Sequence, residues 1–245
     1  MERLLNLGCG SHYHPAWINL DVRARQGVQA HDLYKPLPFR DNLFDAVYHS
    51  HLLEHLSKRY APLFIQECYR VLKPGGIVRV AVPDLEAIVH SYLRALQRIR
   101  RLVSCDTKNK YDWTVIELLD QMTRHRPGGE MFNYWQQCTP LIKRFAEERI
   151  GAVPPPSTKY LPDGHPLAEE NDAEQVGHFR LSGEAHLWMY DSNSLGRLLR
   201  NAGFQDVRER GADWSDIPRF NSYLLDINPD GSVRKPDSLF MEGRK

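Results

Sequence analysis

The sequence predicts an α/β protein with a doubly wound, mostly parallel sheet, because short apolar runs alternate with turns and helical segments. Four apolar runs occur in the first 85 residues, and each ends at a glycine turn or a polar residue. An amphipathic helical pattern separates the third run from the fourth. A last strand follows a turn near residue 231 and is expected to be antiparallel. We therefore predict seven strands, with the last one antiparallel.

The predicted elements follow one another in the order that a parallel sheet requires. Strands are expected at residues 3–7, 17–22, 44–48, 77–82, 207–210 and 238–242, with a further strand end at His31-Asp32-Leu33. A helix is expected over residues 57–72, and a Lys-Pro-Gly-Gly turn ends it. Another helix is expected over residues 192–202, with Asp191 as its N-cap and Gly203 at its end.

The middle of the chain, residues 85–177, has a different pattern. Apolar stripes predict three helices there, the third running through Trp135, Cys138, Ile142 and Phe145. A polar, proline-rich segment over residues 154–174 follows and is typical of a lid, a binding loop or a disordered segment. We predict one domain over residues 1–245, with a core of residues 1–84 and 178–245 and a helical insertion that acts as a substrate lid.

Composition places the chain among ordinary globular proteins. Apolar residues make up 42% and charged residues 26%, and no apolar run approaches the roughly 20 residues that cross a bilayer. The net charge of +1 provides no global field for nucleic acid. The four cysteines form no CxxC pair and no metal-spaced cluster. We therefore expect reduced thiols, no metal, no membrane span and a cytoplasmic location.

The strongest functional signal is the order of residues at the predicted strand ends. The first strand runs into Gly8-Cys9-Gly10, where glycine lets the backbone approach a ligand at the carboxyl end of the sheet. The second ends in Asp21, whose carboxylate can accept hydrogen bonds from both hydroxyls of a ribose. Asp32 follows the next strand and can reach an adenine amino group. One such residue alone is weak, but together they predict a nucleoside pocket.

A dinucleotide dehydrogenase fits this pattern poorly. Its fingerprint needs three glycines and an acidic residue about 20 positions later. Here Tyr13 occupies the third glycine position, and Asp21 comes too early. Pro15 also interrupts the short segment where a pyrophosphate-binding helix would begin.

The sequence resembles the class I methyltransferases of the methyltransferase type 11 group. The motifs that carry the resemblance are Leu7-Gly8-Cys9-Gly10, Leu37-Pro38-Phe39 with Phe44-Asp45, Leu53-Glu54-His55-Leu56 and Arg70-Val71-Leu72-Lys73-Pro74-Gly75-Gly76. Asn6, the segment 17–21 and the segment 186–191 are similar to a branch often found near polysaccharide and sugar genes. The resemblance covers about residues 3–84 and 186–243, and it implies a Rossmann-like fold.

The resemblance implies S-adenosylmethionine as the cofactor, which has no pyrophosphate and therefore needs no phosphate-binding helix. The residues implied to line its pocket are Asn6, Gly8, Cys9, Gly10, Asp21, Val22, Asp32, Leu33, His49 and Ser50. The glycine turn would contact the methionine moiety, Asp21 the ribose and Asp32 the adenine. His49 and Ser50 would lie at the methionine end. Asn6 departs from the group, which mostly has an acidic residue there.

Histidines near the predicted pocket are the candidates for catalysis. Methyl transfer to a hydroxyl needs alignment and removal of a proton, for which histidine suits neutral pH. His51 and His55 follow the fourth strand, and His186 opens a later motif. The alternatives are that Glu54-His55 only starts a helix and that His186 packs against Trp188.

The acceptor is less well defined than the cofactor. No NPPY-like segment follows the fourth strand, which argues against nucleic-acid amines, and no paired acids indicate a metal-assisted site. A basic cluster near residue 98 is either a solvated helix face or a grip for an anion. We expect methyl transfer to an oxygen of a small molecule or sugar, with oligomeric state undetermined. The alternative is a non-catalytic regulatory protein that binds the same cofactor or its demethylated product, S-adenosylhomocysteine.

Overall fold

The computed structural model describes residues 2–151 and 172–245, so most of the predicted proline-rich segment lies outside the described residues. Seven strands form one sheet in the order β3-β2-β1-β4-β5-β7-β6. They are β1 (Leu4–Leu7), β2 (Ile18–Asp21), β3 (Gln29–Ala30), β4 (Phe44–Ser50), β5 (Leu72–Pro83), β6 (Gln205–Arg210) and β7 (Ser238–Arg244). The first five are parallel, and β7 is antiparallel to both β5 and β6. The predicted fold class is confirmed.

The described residues divide into two compact units. Of the described residues, unit 1 comprises 2–83, 190–234 and 238–245, and unit 2 comprises 84–151, 172–189 and 235–237. Unit 1 contains the whole sheet with α1 (Ala61–Val71) and α7 (Ser192–Asn201). Unit 2 contains the helices α2 (Leu85–Arg101), α3 (Cys105–Thr123), α4 (Gly129–Gln137), α5 (Pro140–Ile150) and α6 (Ala173–Leu181).

The two faces of the sheet in unit 1 are covered differently. On β4, Tyr48 points into an aromatic and aliphatic cluster with Trp17 and Phe220, which come from loop segments and a short 3-10 helix. The next residue, His49, points to the opposite face and packs edge-on against Phe64 of α1. This alternation is the ordinary two-residue period of a strand. No helix lies between β1 and β2 in the described residues, as Pro15 predicts.

Several element boundaries differ from those expected, and α1, expected over residues 57–72, begins at Ala61. Strand β5 begins at Leu72, directly after α1, with a register shift opposite the segment between Phe44 and Ala46. The expected third helix of the middle region is two helices. The first ends before Cys138, and Pro140 then starts the second, where proline fits the first turn and lacks only an N–H that would be unpaired anyway.

Unit 2 has a core and a buried ion pair of its own. Trp113 is fully buried in a cluster with Met131 and Ala146, and its Nε1–H donates to Glu117 at 3.1 Å. The guanidinium of Arg149 donates to both oxygens of Glu117 at 2.6 Å, a bidentate geometry. Among the helices of the described ranges, none combines the length and apolar character that spanning a bilayer demands.

A buried charge network joins β4, β5 and β7 in unit 1. The Arg79 side chain is fully buried, with Nε 2.7 Å from an oxygen of Asp226 and Nη1 2.9 Å from Glu242. Its other N–H groups donate to backbone carbonyls of the loop that follows β6. The Tyr48 hydroxyl donates to Asp226 at 2.5 Å, and burial beside this carboxylate raises the pKa of Tyr48 well above its usual value. Arg79 thus compensates two carboxylates that water does not reach.

Asp237 in unit 2 makes stability depend on pH. Burial raises its pKa from 3.8 to about 6, opposed by Lys235 and Arg149 and reinforced by Glu117, and its Oδ1 has no hydrogen-bond partner among the described residues. The folded state therefore favours the protonated carboxyl. The stability that this proton contributes is complete below pH 4 and is lost as the pH rises through about 6.

We therefore expect Asp237→Asn to raise the free energy of unfolding at pH 8 by about 1–3 kcal/mol, because the amide carries no charge to bury. The gain should shrink towards zero at pH 4. Urea unfolding of both proteins across this range is the measurement. An equal difference at pH 4 and pH 8 would show that the carboxyl does not titrate as described.

Candidate active site

Strand register brings the predicted pocket residues of unit 1 to one edge of the sheet. Leu7 at the end of β1 is paired with Leu20 of β2 on one side and with His49 of β4 on the other. The residues that follow these three are Gly8, Asp21 and Ser50, so they lie side by side at the carboxyl edge. Open parallel sheets bind ligands at this edge.

The turn after β1 has the backbone conformation that its glycines allow. Gly8 and Gly10 have φ angles of 61° and 55°, which side chains disfavour. A Cβ on Gly8 would lie 2.7 Å from Leu52, whereas a Cβ on Gly10 would meet no atom within 4 Å. The backbone at Gly10 therefore borders open space that a ligand can fill.

Asp21 holds this turn in place. Its Oδ2 accepts the backbone N–H of Gly10 at 2.8 Å, and its Oδ1 accepts that of Arg23 at 3.3 Å. The guanidinium of Arg25 lies 3.7 Å from Oδ1, and the Asp21 side chain is 13% exposed. An ionised carboxylate has about four acceptor positions, so two remain for further donors such as a pair of hydroxyls.

The predicted adenine residues lie farther along the same edge. Asp32 follows β3 by two positions, accepts the backbone N–H of Tyr34 at 3.0 Å, and keeps a side chain that is 47% exposed. Leu33 is buried, whereas Val22 is 64% exposed. The structure thus brings Asp32 to the predicted edge, where its Oδ2 lies 3.7 Å from Nζ of Lys35 and acceptor positions remain open.

Two predicted pocket residues turn their side chains away from solvent. Asn6 is buried, and its side-chain amide donates to Asn19 at 3.0 Å. His49 is fully buried, and burial lowers the pKa of its imidazole to about 3, so the ring is neutral. The His49 ring packs edge-on against Phe64 of α1.

Cys9 is a poor nucleophile despite its place in the turn. Burial raises the pKa of its thiol to about 11, and the nearby carboxylate of Asp21 adds to the effect. Since the thiolate is the reactive form, this cysteine is inert at neutral pH. Its contribution to a pocket is the backbone and the small side chain.

His51 occupies a strained and polar position directly after β4. Its φ of 50° is unusual for a residue with a side chain, and such strain is concentrated at functional sites. Its Nε2 lies 2.8 Å from the Ser238 hydroxyl, and its Nδ1 lies 3.4 Å from a carboxylate oxygen of Glu54, which is fully buried. The carboxylate favours the tautomer with the proton on Nδ1, which leaves Nε2 as an acceptor for a hydroxyl.

The other two candidate histidines have different surroundings. His55 ends the short 3-10 helix Leu53–His55, and its Nε2 lies 4.0 Å from Glu54. His186 belongs to unit 2, is buried, and donates its backbone N–H to the carbonyl of Gln121 at 2.8 Å. His51 is the candidate for which the structure gives an imidazole nitrogen within hydrogen-bond distance of a hydroxyl, that of Ser238.

Sequence reasoning missed Ser238 as a member of this site. It is 187 positions from His51 and begins β7, where it pairs with the last residue of β5. A serine at the start of a strand carries no local signal. Only the antiparallel register of β7 places its hydroxyl beside β4.

Comparison with known proteins supports part of these expectations. Residues 5–80 match the model of a family described as "Methyltransferase domain". This segment contains the glycine turn, Asp21, Asp32 and His51. A search of curated proteins found no match to the chain.

Solved structures show distant similarity over the whole chain. A SAM-dependent methyltransferase from Archaeoglobus fulgidus is 12% identical, with 100% of this chain and 86% of that chain covered and a TM-score of 0.44. A putative methyltransferase of Haloferax volcanii in complex with its Trm112 activator is 14% identical, with 99% and 82% covered and a TM-score of 0.42. A possible histamine N-methyltransferase from Thermotoga maritima is 13% identical, with 100% and 83% covered and a TM-score of 0.41.

These identities are too low to transfer a substrate to this chain. The family match carries more weight, because it runs from β1 into β5 and includes the turn that the site is built on. It agrees with the expected methyltransferase that uses S-adenosylmethionine, and it gives no support to a sugar acceptor. Residues 5–80 have the sequence pattern of a methyltransferase domain.

Proposed function

We propose that this chain is an S-adenosylmethionine-dependent methyltransferase that transfers a methyl group to a hydroxyl oxygen of a small molecule, with sugars as one acceptor class. The observation that carries the proposal is the register that aligns Gly8, Asp21 and Ser50 on one edge. The family match over residues 5–80 independently supports a methyltransferase, and the choice of acceptor rests on the site residues alone.

The residues at this edge fit the cofactor. The open space at Gly10 lets a ligand approach the backbone closely. Asp21 has acceptor positions for the two ribose hydroxyls. Asp32 offers an exposed carboxylate for an adenine amino group. When bound, S-adenosylmethionine supplies an electrophilic methyl group on a sulfonium.

The proposed catalytic residue is His51. Its Nε2 accepts the proton of the acceptor hydroxyl, replacing the hydrogen bond now made with Ser238. Glu54 lies 3.4 Å from Nδ1, so it holds the ring in the required tautomer and stabilises the charge that develops on it. An oxygen acceptor is favoured because a hydroxyl needs such a base, whereas a neutral amine attacks without one.

The cofactor assignment predicts the effect of Asp21→Ala. This variant should bind S-adenosylmethionine about 5–150-fold more weakly, because it removes a charged acceptor worth roughly 1–3 kcal/mol. Isothermal titration calorimetry with S-adenosylmethionine and S-adenosylhomocysteine measures the change. Asp206→Asn is the matched control, since Asp206 is exposed at the start of β6 and is paired only with Arg208 at 3.7 Å among the described contacts.

Unchanged affinity in Asp21→Ala would contradict the assigned pocket.

Methyl transfer is tested separately with S-adenosylmethionine labelled in its methyl group and a panel of alcohols, phenols, sugars and amines. Label should move to hydroxyl-bearing acceptors with release of S-adenosylhomocysteine. Tight binding with no transfer to any acceptor would instead indicate a regulatory binding protein.

A further inference from the structure

Unit 2 contains a cavity of about 190 Å³ between α2, α3 and α5. Its lining combines apolar side-chain surface with polar and charged groups from Ser91, Arg94, Arg98, Asp106, Lys110 and Arg149. The cavity is smaller than the sites that take a whole metabolite, and its volume suits one compact polar group.

The charges around this cavity do not balance. Lys110 is paired with Asp106 at 2.9 Å, and Arg149 is paired with Glu117. Arg94 and Arg98 have no carboxylate within 4.0 Å in the part of the chain that the structure describes. Two guanidinium groups four positions apart on one helix repel each other. A bound anion would remove this cost.

Ser91 links the cationic groups at the buried side of the cavity. It is 7% exposed, and its Oγ accepts Nη2 of Arg94 at 3.0 Å and Nη1 of Arg149 at 2.8 Å. Two donors use both lone pairs of this oxygen, so its own proton remains available to an acceptor. Arg149 is fixed by two bonds to Glu117 and is therefore held in place before any ligand arrives.

A solvated helix face explains only part of this arrangement. Cations in the last turn of α2 are favoured by the helix dipole, which accounts for Arg98 and for Arg100 and Arg101 beyond it. It does not account for Lys110 and Arg149, which come from two other helices and face the same space. Convergence from three helices distinguishes a built site from a charged surface.

The geometry points to a binding site for a phosphoryl group, as free phosphate or as the phosphate monoester of a small molecule. Guanidinium groups donate in pairs to the oxygens of phosphate, and the Ser91 hydroxyl supplies a further donor. All the residues concerned lie in unit 2, so the site does not depend on the proposed function.

The test uses the full chain with inorganic phosphate and glycerol 3-phosphate as probes, against sodium chloride at equal ionic strength. Isothermal titration calorimetry should show saturable binding of phosphate. The melting temperature of the protein should be higher in phosphate than in chloride. Arg94→Gln combined with Arg98→Gln should weaken binding at least about tenfold. The matched control, Arg100→Gln combined with Arg101→Gln on the same helix, should bind as the wild type does.

Each outcome decides the matter. Tighter binding of glycerol 3-phosphate than of phosphate identifies a monoester as the ligand class, and equal binding identifies the free anion. The Arg94 and Arg98 double variant should melt no lower than the wild type without phosphate, which excludes loss of folding as the cause. Equal effects of phosphate and chloride, or unchanged binding in that variant, would overturn the inference.

Discussion

Arg79→Met is expected to lower the free energy of unfolding by about 3–5 kcal/mol, the largest stability effect that we predict for a single substitution. The variant keeps much of the side-chain volume but removes the cation that Asp226 and Glu242 share, which leaves Glu242 with Arg210 at 3.4 Å and Asp226 without the guanidinium. The guanidinium also lies 4.6 Å from the ring of Phe220, so aromatic contact is lost with the charge. Equilibrium urea unfolding at pH 7.5 measures the loss.

The control for this prediction is Arg208→Met on β6. Arg208 is exposed, and its guanidinium lies 3.7 Å from Asp206, so its removal should change stability by less than about 1 kcal/mol. Combining Arg79→Met with Asp226→Asn and Glu242→Gln should restore part of the loss, because the variant then has no uncompensated charge. A single-variant loss below about 1 kcal/mol would mean that Arg210, already 3.4 Å from Glu242, or water compensates the two carboxylates.

His51→Gln is expected to reduce the rate of methyl transfer to an alcohol by about 100–10,000-fold, with the affinity for S-adenosylmethionine unchanged. Glutamine keeps a hydrogen-bonding side chain but cannot remove a proton. Initial rates with saturating donor give kcat and KM for the acceptor, and the loss should appear in kcat. His90→Gln on α2 is the control, since His90 is exposed in unit 2.

Acceptor acidity separates a catalytic role of His51 from a structural one. A phenol is far more acidic than an alcohol and needs less help from a base, so the defect of His51→Gln should be smaller with a phenol. Glu54→Gln should cause a smaller loss than His51→Gln, with the same dependence on the acceptor. A uniform loss with every acceptor would indicate that His51 only maintains the fold.

Local sequence signals were enough to predict most of the sheet. Alternating apolar runs and turns are properties of neighbouring residues. The two glycines of Gly8-Cys9-Gly10 indicate a tight turn, because glycine adopts positive φ without steric cost. Asp21 could be placed beside this turn in advance, because consecutive parallel strands end at the same edge. The hydrogen bond from Gly10 to Asp21 follows from that order.

Side-chain direction was harder to predict than strand position. Asn6 and His49 both lie on strands that end at the predicted edge, yet the first bonds to Asn19 and the second packs against Phe64. Which face a residue takes depends on the register of its strand, and a shift by one position reverses it. The buried neutral imidazole of His49 therefore emerged only from the structure.

The positions of most strands, the glycine turn and the acidic strand ends were determined by the sequence alone, because each depends on residues close together in the chain. The partners of Arg79 were decided by the tertiary structure, since Asp226 and Glu242 lie 147 and 163 positions away. The same holds for Ser238 beside His51 and for Arg149 beside Ser91. Such contacts arise when distant segments pack, and no local pattern of residues encodes them.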